Sequence, residues 1–524
     1  MTVEILLGDE AVALGALHAG LSGAYAYPGT PATEIHEYIQ RTGPQFGLGA
    51  SPWSTNEKVA YEEALGCSHT SKRALVCMKH VGLNVAADPF MNSAVTGVDG
   101  GLVIAVADDP GMHSSQDEQD SRYFAQFAQI PCFEPSTQQQ AYDMTRAAYD
   151  LSERLRVPVM IRLVTRMAHS RAAVKVGAPR PQNPLAVSRA RDTWTLLPTN
   201  ARAGYRKLME KQAEMLADSE ASRFNRLSLE GDRRLGVIAS GVAVNYVLEN
   251  VETPLPLLEL RQYPLPEGLI RTFVAGVDRV LVVEEGYPFI ERQLRGVLGN
   301  EKIRGKLDGA LPITGELLPS IVRAALGLPP RGGEPVRASI PLPARPPALC
   351  QGCSHIDAFN ALNAALDTIE DKGAVYGDIG CYTLGFYPPY DGIDACVCMG
   401  ASVSMAKGAA DAGAHPVVAV IGDSTFAHSG ITPLLSAAQC NSPMTVVILD
   451  NSTTAMTGGQ HSMATGGRLE EICAGVGVAR EHIRVITPLR KHHDENVKVF
   501  QDEIAYRGLS VVIPRRECIH TARR

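Results

Sequence analysis

Two apolar runs in the last third of the chain each end in a polar cluster. VVAVI (417–421) runs into GDS, and TVVILD (445–450) runs into NSTT. The carboxylate of Asp423 and the amide of Asn451, 28 positions apart, are hard oxygen donors suited to magnesium, an ion commonly shared with phosphate oxygens. With HSGITPLLSAAQC read as a helix between two parallel strands, both residues fall outside the carboxyl ends of adjacent strands, where open α/β sheets bind ligands. The expectation is a metal-bound diphosphate. An Asp turn or an Asx turn would explain either half alone, whereas the pair at this spacing on a βαβ pattern favours a site.

Upstream, VCMGASVSMAKGAADAG passes from a cysteine-containing loop into a helix of small residues. Gly400, Ala401 and Ser402 at its start are expected to offer free backbone N–H groups to a phosphate. Tight helix packing explains the same small residues equally well. Among eleven cysteines, Cys67, Cys77, Cys132, Cys396, Cys398, Cys440 and Cys473 sit in apolar or small-residue surroundings and read as packed thiols. Cys350 and Cys353 form a CxxC, Cys381 follows GDIG, and Cys518 lies near the end of the sequence. This is not the compact bacterial ferredoxin run, and by spacing alone a zinc site or buried thiols remain alternatives.

These residues must be positioned by several α/β units. At 524 residues the chain exceeds a single hydrophobic core, and 45% hydrophobic content with a net charge of -7 describes an ordinary globular protein without a nucleic-acid-type basic run. No basic, apolar and small-residue leader pattern opens the sequence and no apolar run reaches membrane-spanning length, so a cytoplasmic location is expected. GAYAYPGT, RALVCMKH, GLVIAVADD and VPVMIRLVTR read as buried parallel strands of a first unit, 1–184. A polar helical connector follows (185–234), then a second α/β unit (235–328). A Pro- and Gly-rich linker (329–347) precedes a third α/β unit, 348–524.

The GDS and Asn pair resembles the metal motif of thiamine diphosphate enzymes. That resemblance implies Mg2+ on Asp423, Asn451 and the backbone carbonyl of Thr453, with Gly422, Ser424, Thr425, Ala455 and Met456 beside the cofactor. Such enzymes also need a carboxylate against the aminopyrimidine ring, and STNEKVAYEEALG offers Glu57.

Taken together, LLGDEAVALGAL, AYPGTPATEI, WSTNEKVAYEEALG, MKHVGLN, DDPGMHSSQDEQDSRYFA, CQGCSH, GDIGCYTLG, CMGAS, GDSTFAHSGI and LDNSTTAMTGGQ resemble one family. It is the large (alpha) subunit of indolepyruvate ferredoxin oxidoreductase, within the pyruvate ferredoxin oxidoreductase superfamily. The resemblance implies a multidomain thiamine diphosphate-binding fold: two doubly wound parallel-sheet domains, for the pyrimidine and the diphosphate, flanking a transketolase-C-like α/β domain. It also implies oxidative decarboxylation of an aryl-2-oxoacid to its acyl-CoA, with coenzyme A as co-substrate and electrons passing through one 4Fe-4S cluster.

By the same resemblance Glu57 activates the cofactor and Thr30 faces the substrate carboxylate. His80, Asn84, His113, Ser114, Gln116, Arg122 and His428 are polar groups in matching segments, read either as pocket lining or as structural hydrogen-bonders. Cys350, Cys353, Cys381 and Cys518 are the implied cluster ligands, with Cys396 and Cys398 the first substitutes.

The family's usual ferredoxin-like extension with further cysteine motifs is not seen before the sequence stops at HTARR. The implied partners are therefore the small (beta) subunit and a ferredoxin or ferredoxin-like electron acceptor, in a hetero-oligomer with two copies of this chain. A non-oxidative thiamine-dependent decarboxylase or carboligase is the alternative, and a scaffold without chemistry the third reading; the four cysteines oppose the former, and Glu57, Asp423 and Asn451 the latter.

Overall fold

The computed structural model describes residues 2–187, 190–331, 348–370 and 372–522. The chain divides into two compact units, residues 1–334 and 335–524. Of the expected linker 329–347, residues 332–347 lie outside the described residues.

In the first unit the four expected apolar runs become the parallel strands Gly23–Ala26, Ala74–Lys79, Leu102–Asp108 and Val159–Val164. The last three are buried along their whole length, which is why they read as continuous rather than alternating apolar runs. Each Val, Leu, Ile or Met side chain so removed from water contributes about 1.5–3 kcal/mol.

Cys132–Phe133 extends this sheet, and its edge is closed by Gln262–Tyr263, an antiparallel strand that arrives from the following α/β segment. The second sheet orders Ile303–Arg304, Val280–Val283, Gly236–Ser240, Leu257–Leu260 and Arg226–Ser228, parallel except for the last. Residues of both sheets share one continuous core.

The connecting region forms two main helices, Pro198–Glu210 and Gln212–Glu220. A two-stranded ribbon pairs Thr2–Leu7 with Arg171–Val176.

The second unit is a five-stranded, all-parallel sheet ordered Ala374–Gly377, Val417–Gly422, Met444–Leu449, Leu509–Pro514 and Ile483–Ile486. Apolar cores cover both faces. Val417–Gly422 and Met444–Leu449 are fully buried neighbours in register, with Gly422 opposite Leu449, so both polar clusters emerge at one end of the sheet. Among the described residues no helix is long and apolar enough to cross a membrane.

Candidate active site

Asp423 leaves its strand directly into a helical turn and is 2% exposed. Its Oδ2 has no hydrogen-bond partner among the described residues. Burial, then the charge of Asp450, pushes its carboxyl up to about 7, against the opposing pull of Ser462 and the Ser424 N–H. A buried carboxylate oxygen without a donor is stabilised by a cation, and this oxygen fits Mg2+.

Asn451 folds into an Asx turn in which its Oδ1 accepts the Thr453 N–H at 3.1 Å, leaving a second lone pair. Between them Ser452 takes φ +64°, a left-handed conformation that costs about 1–2 kcal/mol in an L-residue. The Asn451 amide donates to Nε2 of His355 across 3.4 Å; burial lowers that imidazole to about 4, so it is neutral and can accept. Ser424 Oγ and Thr454 Oγ1, 2.6 Å apart, fasten the two clusters together. Gly422 has no room for a side chain, since a methyl there would meet the Tyr382 ring at 2.6 Å. Met456 is exposed and Ala455 begins a short turn beside it.

The expected phosphate cradle needs correction. The N–H groups of Gly400 and Ser402 both donate to the carboxylate of Asp378, at 2.9–3.0 Å, and that of Ala401 donates to the Cys398 carbonyl at 3.0 Å. The start of helix Ala401–Asp411 is thus capped from within the protein, and these three donors are not free. Gly400 is required for another reason: it takes φ +89° and its missing side chain admits Ser429. Asp378 sits in the GDIG stretch, but its role was hidden because the helix it caps begins 23 positions later.

Cys350, Cys353, Cys381 and Cys518 come from three separate segments. Burial, then the neighbouring Cys353, Cys518 and Cys350, pushes Cys381 up to about 12, and Cys353 is raised by burial and by Cys350 and Cys518. These four sulfurs therefore act on one another. Cys396 is pushed up to about 11 by burial and by Asp378, with Cys398 as its neighbouring sulfur.

The cysteine segments rest on the metal-motif loops. Thr425 Oγ1 donates to the carbonyl of Ile379, two residues before Cys381, at 2.8 Å. The N–H of Cys518 donates to the Asn451 carbonyl at 3.1 Å. His355, two residues after Cys353, meets the Asn451 amide, and His520 Nε2 lies 3.3 Å from Cys350 Sγ. His428 is buried one turn beyond Thr425, its Nδ1 2.6 Å from Ser429 Oγ.

In the first unit Glu57 is buried at the first position of helix Glu57–His69, where the helix dipole favours a carboxylate. Asn56 caps that helix by accepting the Val59 N–H at 2.9 Å. Gly82 backs onto Glu57 so closely that a methyl would meet Oε1 at 2.6 Å. Lys79, which the sequence reading missed, is lowered by burial and held up by Asp109, Asp117 and Glu57; its Nζ donates to the Ser114 carbonyl at 3.1 Å.

Ser114 Oγ reaches the Thr30 carbonyl at 3.4 Å, and Thr30 is partly exposed. His80 is buried, with Nε2 3.3 Å from the Asp117 carbonyl. Asn84, His113 and Gln116 are exposed, and His113 Nε2 lies 3.6 Å from Glu316.

Arg122 departs from the expected pocket role. It is 1% exposed and paired with Asp120 at 2.5 Å and Glu284 at 3.0 Å; it also donates to the carbonyls of Glu285 and Tyr287. Burial alone would raise Asp120, but Arg122 and then Arg162 hold it at about 2. Arg122 is an interior ionic hub between the two sheets of its unit.

Comparison with known proteins adds two family profiles. "Pyruvate flavodoxin/ferredoxin oxidoreductase, thiamine diP-bdg" matches residues 14–196, and "Thiamine pyrophosphate enzyme, C-terminal TPP binding domain" matches residues 378–511. The chain is 39% identical to indolepyruvate oxidoreductase subunit IorA of Archaeoglobus fulgidus, over 98% of this chain and 86% of that one. The same subunit of Methanothermobacter thermautotrophicus is 39% identical over 98% and 86%. That of Pyrococcus abyssi is 35% identical over 98% and 85%. In fold, the chain resembles the 2-oxoglutarate:ferredoxin oxidoreductase of Magnetococcus marinus, with TM-score 0.51 and 18% identity over 62% of this chain and 65% of that one.

Proposed function

The chain belongs to the family of indolepyruvate oxidoreductase IorA subunits, large subunits within the pyruvate ferredoxin oxidoreductase superfamily, and on that footing we propose that it converts an aryl-2-oxoacid to its acyl-CoA. The reaction class is thiamine diphosphate-dependent oxidative decarboxylation of a 2-oxoacid, and the chain is an oxidoreductase subunit. The substrate is of the indolepyruvate or phenylpyruvate type. The non-oxidative alternative is not favoured, because the relatives above are oxidoreductase subunits.

When bound, thiamine diphosphate would supply the carbon nucleophile and electron sink, Mg2+ the charge that offsets its diphosphate, and a 4Fe-4S cluster the one-electron acceptor. Asp423 and Asn451 would hold the metal by their side-chain oxygens and Thr453 by its carbonyl. Glu57, fixed by Gly82 behind it and by the helix start beneath it, would hold and return a proton at the pyrimidine nitrogen. Thr30 orients the substrate carboxylate with its hydroxyl. Cys350, Cys353, Cys381 and Cys518 supply the cluster thiolates. The small subunit and a ferredoxin or ferredoxin-like acceptor complete a hetero-oligomer that contains two copies of this chain.

The observation that carries this reading is the seating of the cysteine segments on the two metal-motif loops, through Thr425 to Ile379 and through Cys518 to Asn451. An anaerobic preparation tests it. A brown protein with about four irons per chain is expected, as one 4Fe-4S cluster requires. Cys353→Ala should lose the cluster and dye reduction while keeping thiamine diphosphate binding. Dye reduction that survives the change refutes the electron route. Turnover of indolepyruvate, phenylpyruvate and pyruvate, with the small subunit present, then ranks the substrates.

A further inference from the structure

Away from the thiamine chemistry, three side chains of the first unit converge, and the most deeply buried of them, Asp9, has no donor to satisfy it. Asp9, in the first turn of helix Gly8–His18, is fully buried, and neither of its carboxylate oxygens has a hydrogen-bond partner among the described residues. Glu34 stands near the start of helix Thr33–Thr42 and His169 at the end of the short helix Thr165–His169. His169 Nε2 lies 3.5 Å from Glu34 Oε2, and one ligand atom from each of the three residues falls within 4.8 Å of the others.

The backbone enforces this convergence. Gly8 donates its N–H to the Ser170 carbonyl at 3.2 Å, and a methyl at Gly8 would lie 2.1 Å from the Met167 carbonyl oxygen. Asp9 is thereby pressed against the segment that carries His169.

A buried carboxylate without hydrogen bonds is costly unless it is neutralised or bound by a cation. Its neighbour Glu10 does not help, being an acid engaged with the Leu7 N–H and Arg41. Burial, followed by the charges of Glu34 and Glu10, raises the Asp9 carboxyl well above its ordinary range.

We propose that Asp9, Glu34 and His169 bind one divalent transition-type cation, such as Mn2+, Fe2+ or Zn2+. Two carboxylate oxygens and one imidazole form a mixed N,O donor set that suits these ions better than magnesium or calcium. The ion would join the starts of two helices to the end of a third. One of them, Thr33–Thr42, directly follows the loop that carries Thr30, so the ion would brace that loop from behind. Two of the three ligands come from LLGDEAV and YPGTPATEI, motif stretches whose acids the thiamine chemistry leaves unused.

Mn2+ is the probe for the test, added at millimolar concentration to the anaerobic full-length holoenzyme with thiamine diphosphate and Mg2+ present. Pulsed EPR reads nitrogen coupling from a directly bound imidazole, which the all-oxygen donor set around Asp423 does not give. One imidazole-coupled Mn2+ per chain is expected. The coupling should vanish in His169→Gln, a half-exposed position that leaves the core intact. Mn2+ affinity should fall at least tenfold in Asp9→Asn, while the coupling persists in Asp423→Asn. A wild-type chain without imidazole-coupled Mn2+ overturns the proposal whatever the variants do. Coupling that survives His169→Gln overturns it too, by placing the ion elsewhere.

Discussion

The backbone N–H of Cys518 donates to the carbonyl of Asn451 across 3.1 Å, so the last cysteine is docked on the loop that ends the second metal-motif strand. Arg516 repeats the contact two residues earlier, donating its N–H to the Asp450 carbonyl at 3.0 Å. Cys518→Ala should therefore reduce the iron content and dye reduction of the anaerobic protein to near zero. Cys396→Ala, whose thiol is raised chiefly by burial and by Asp378, should leave both within a factor of two. Iron analysis and EPR of the two variants side by side decide between them.

Asp423 makes metal affinity and stability depend on pH. Its carboxyl sits at about 7 in the folded chain against about 3.9 when unfolded, so the metal-free fold holds the proton more tightly. Stability of the metal-free chain should fall as pH rises from about 4 to 7, by up to a few kcal/mol. Mg2+ must displace that proton, so its affinity should strengthen over the same interval and level off above it. Thermal unfolding from pH 5 to 8, with and without Mg2+ and thiamine diphosphate, should show ligand stabilisation growing with pH. Asp423→Asn should flatten that dependence and weaken cofactor binding at least tenfold.

Gly82→Ala would place a methyl 2.6 Å from Glu57 Oε1. Activity should drop at least tenfold because the carboxylate is displaced. Gly66→Ala in the same glutamate-bearing helix meets nothing within 4 Å and should stabilise by about 1 kcal/mol with activity unchanged. Steady-state kinetics and thermal melts of this pair separate a positioning effect from a general one.

Asp378 caps the helix Ala401–Asp411 with three hydrogen bonds to two N–H groups. Asp378→Ala should cost about 1–2 kcal/mol in urea unfolding. Asp378→Asn, which keeps one acceptor oxygen, should recover part of the loss.

Arg122→Met removes the hub that neutralises Asp120 and Glu284 and should destabilise the protein by about 3–5 kcal/mol. Where protein is recovered, KM for the 2-oxoacid should be unchanged. A raised KM at full stability would return Arg122 to the substrate pocket.

The strands were legible because buried parallel strands are written as unbroken apolar runs, as in VVAVI and LVIAVAD. Asp423 and Asn451 were legible because a strand end fixes where the next residue lies, and two ends with a helix between fix a pair. The roles of Asp378, Lys79 and Arg122 were not. Asp378 meets a helix 23 positions away, Lys79 is balanced by Glu57, Asp109 and Asp117 from other segments, and Arg122, at a helix start, faces Glu284 just beyond strand Val280–Val283. Charge type is local information, whereas the partner that gives it a role is set by the tertiary fold. Gly400 to Ser402 were misjudged for the same reason: small residues at a helix start show that something approaches closely, but not that the visitor is a carboxylate of the protein itself.

The strand Gln262–Tyr263 has a consequence for modularity. It seals the edge of the first sheet beside Cys132–Phe133, and Tyr263 donates its hydroxyl to Glu134 at 2.6 Å. A fragment ending at residue 184 would expose a raw strand edge and strip Arg122 of Glu284, which invites aggregation. Residues up to about 331 therefore behave as one indivisible part: recombination or truncation that swaps only half of it should yield insoluble protein.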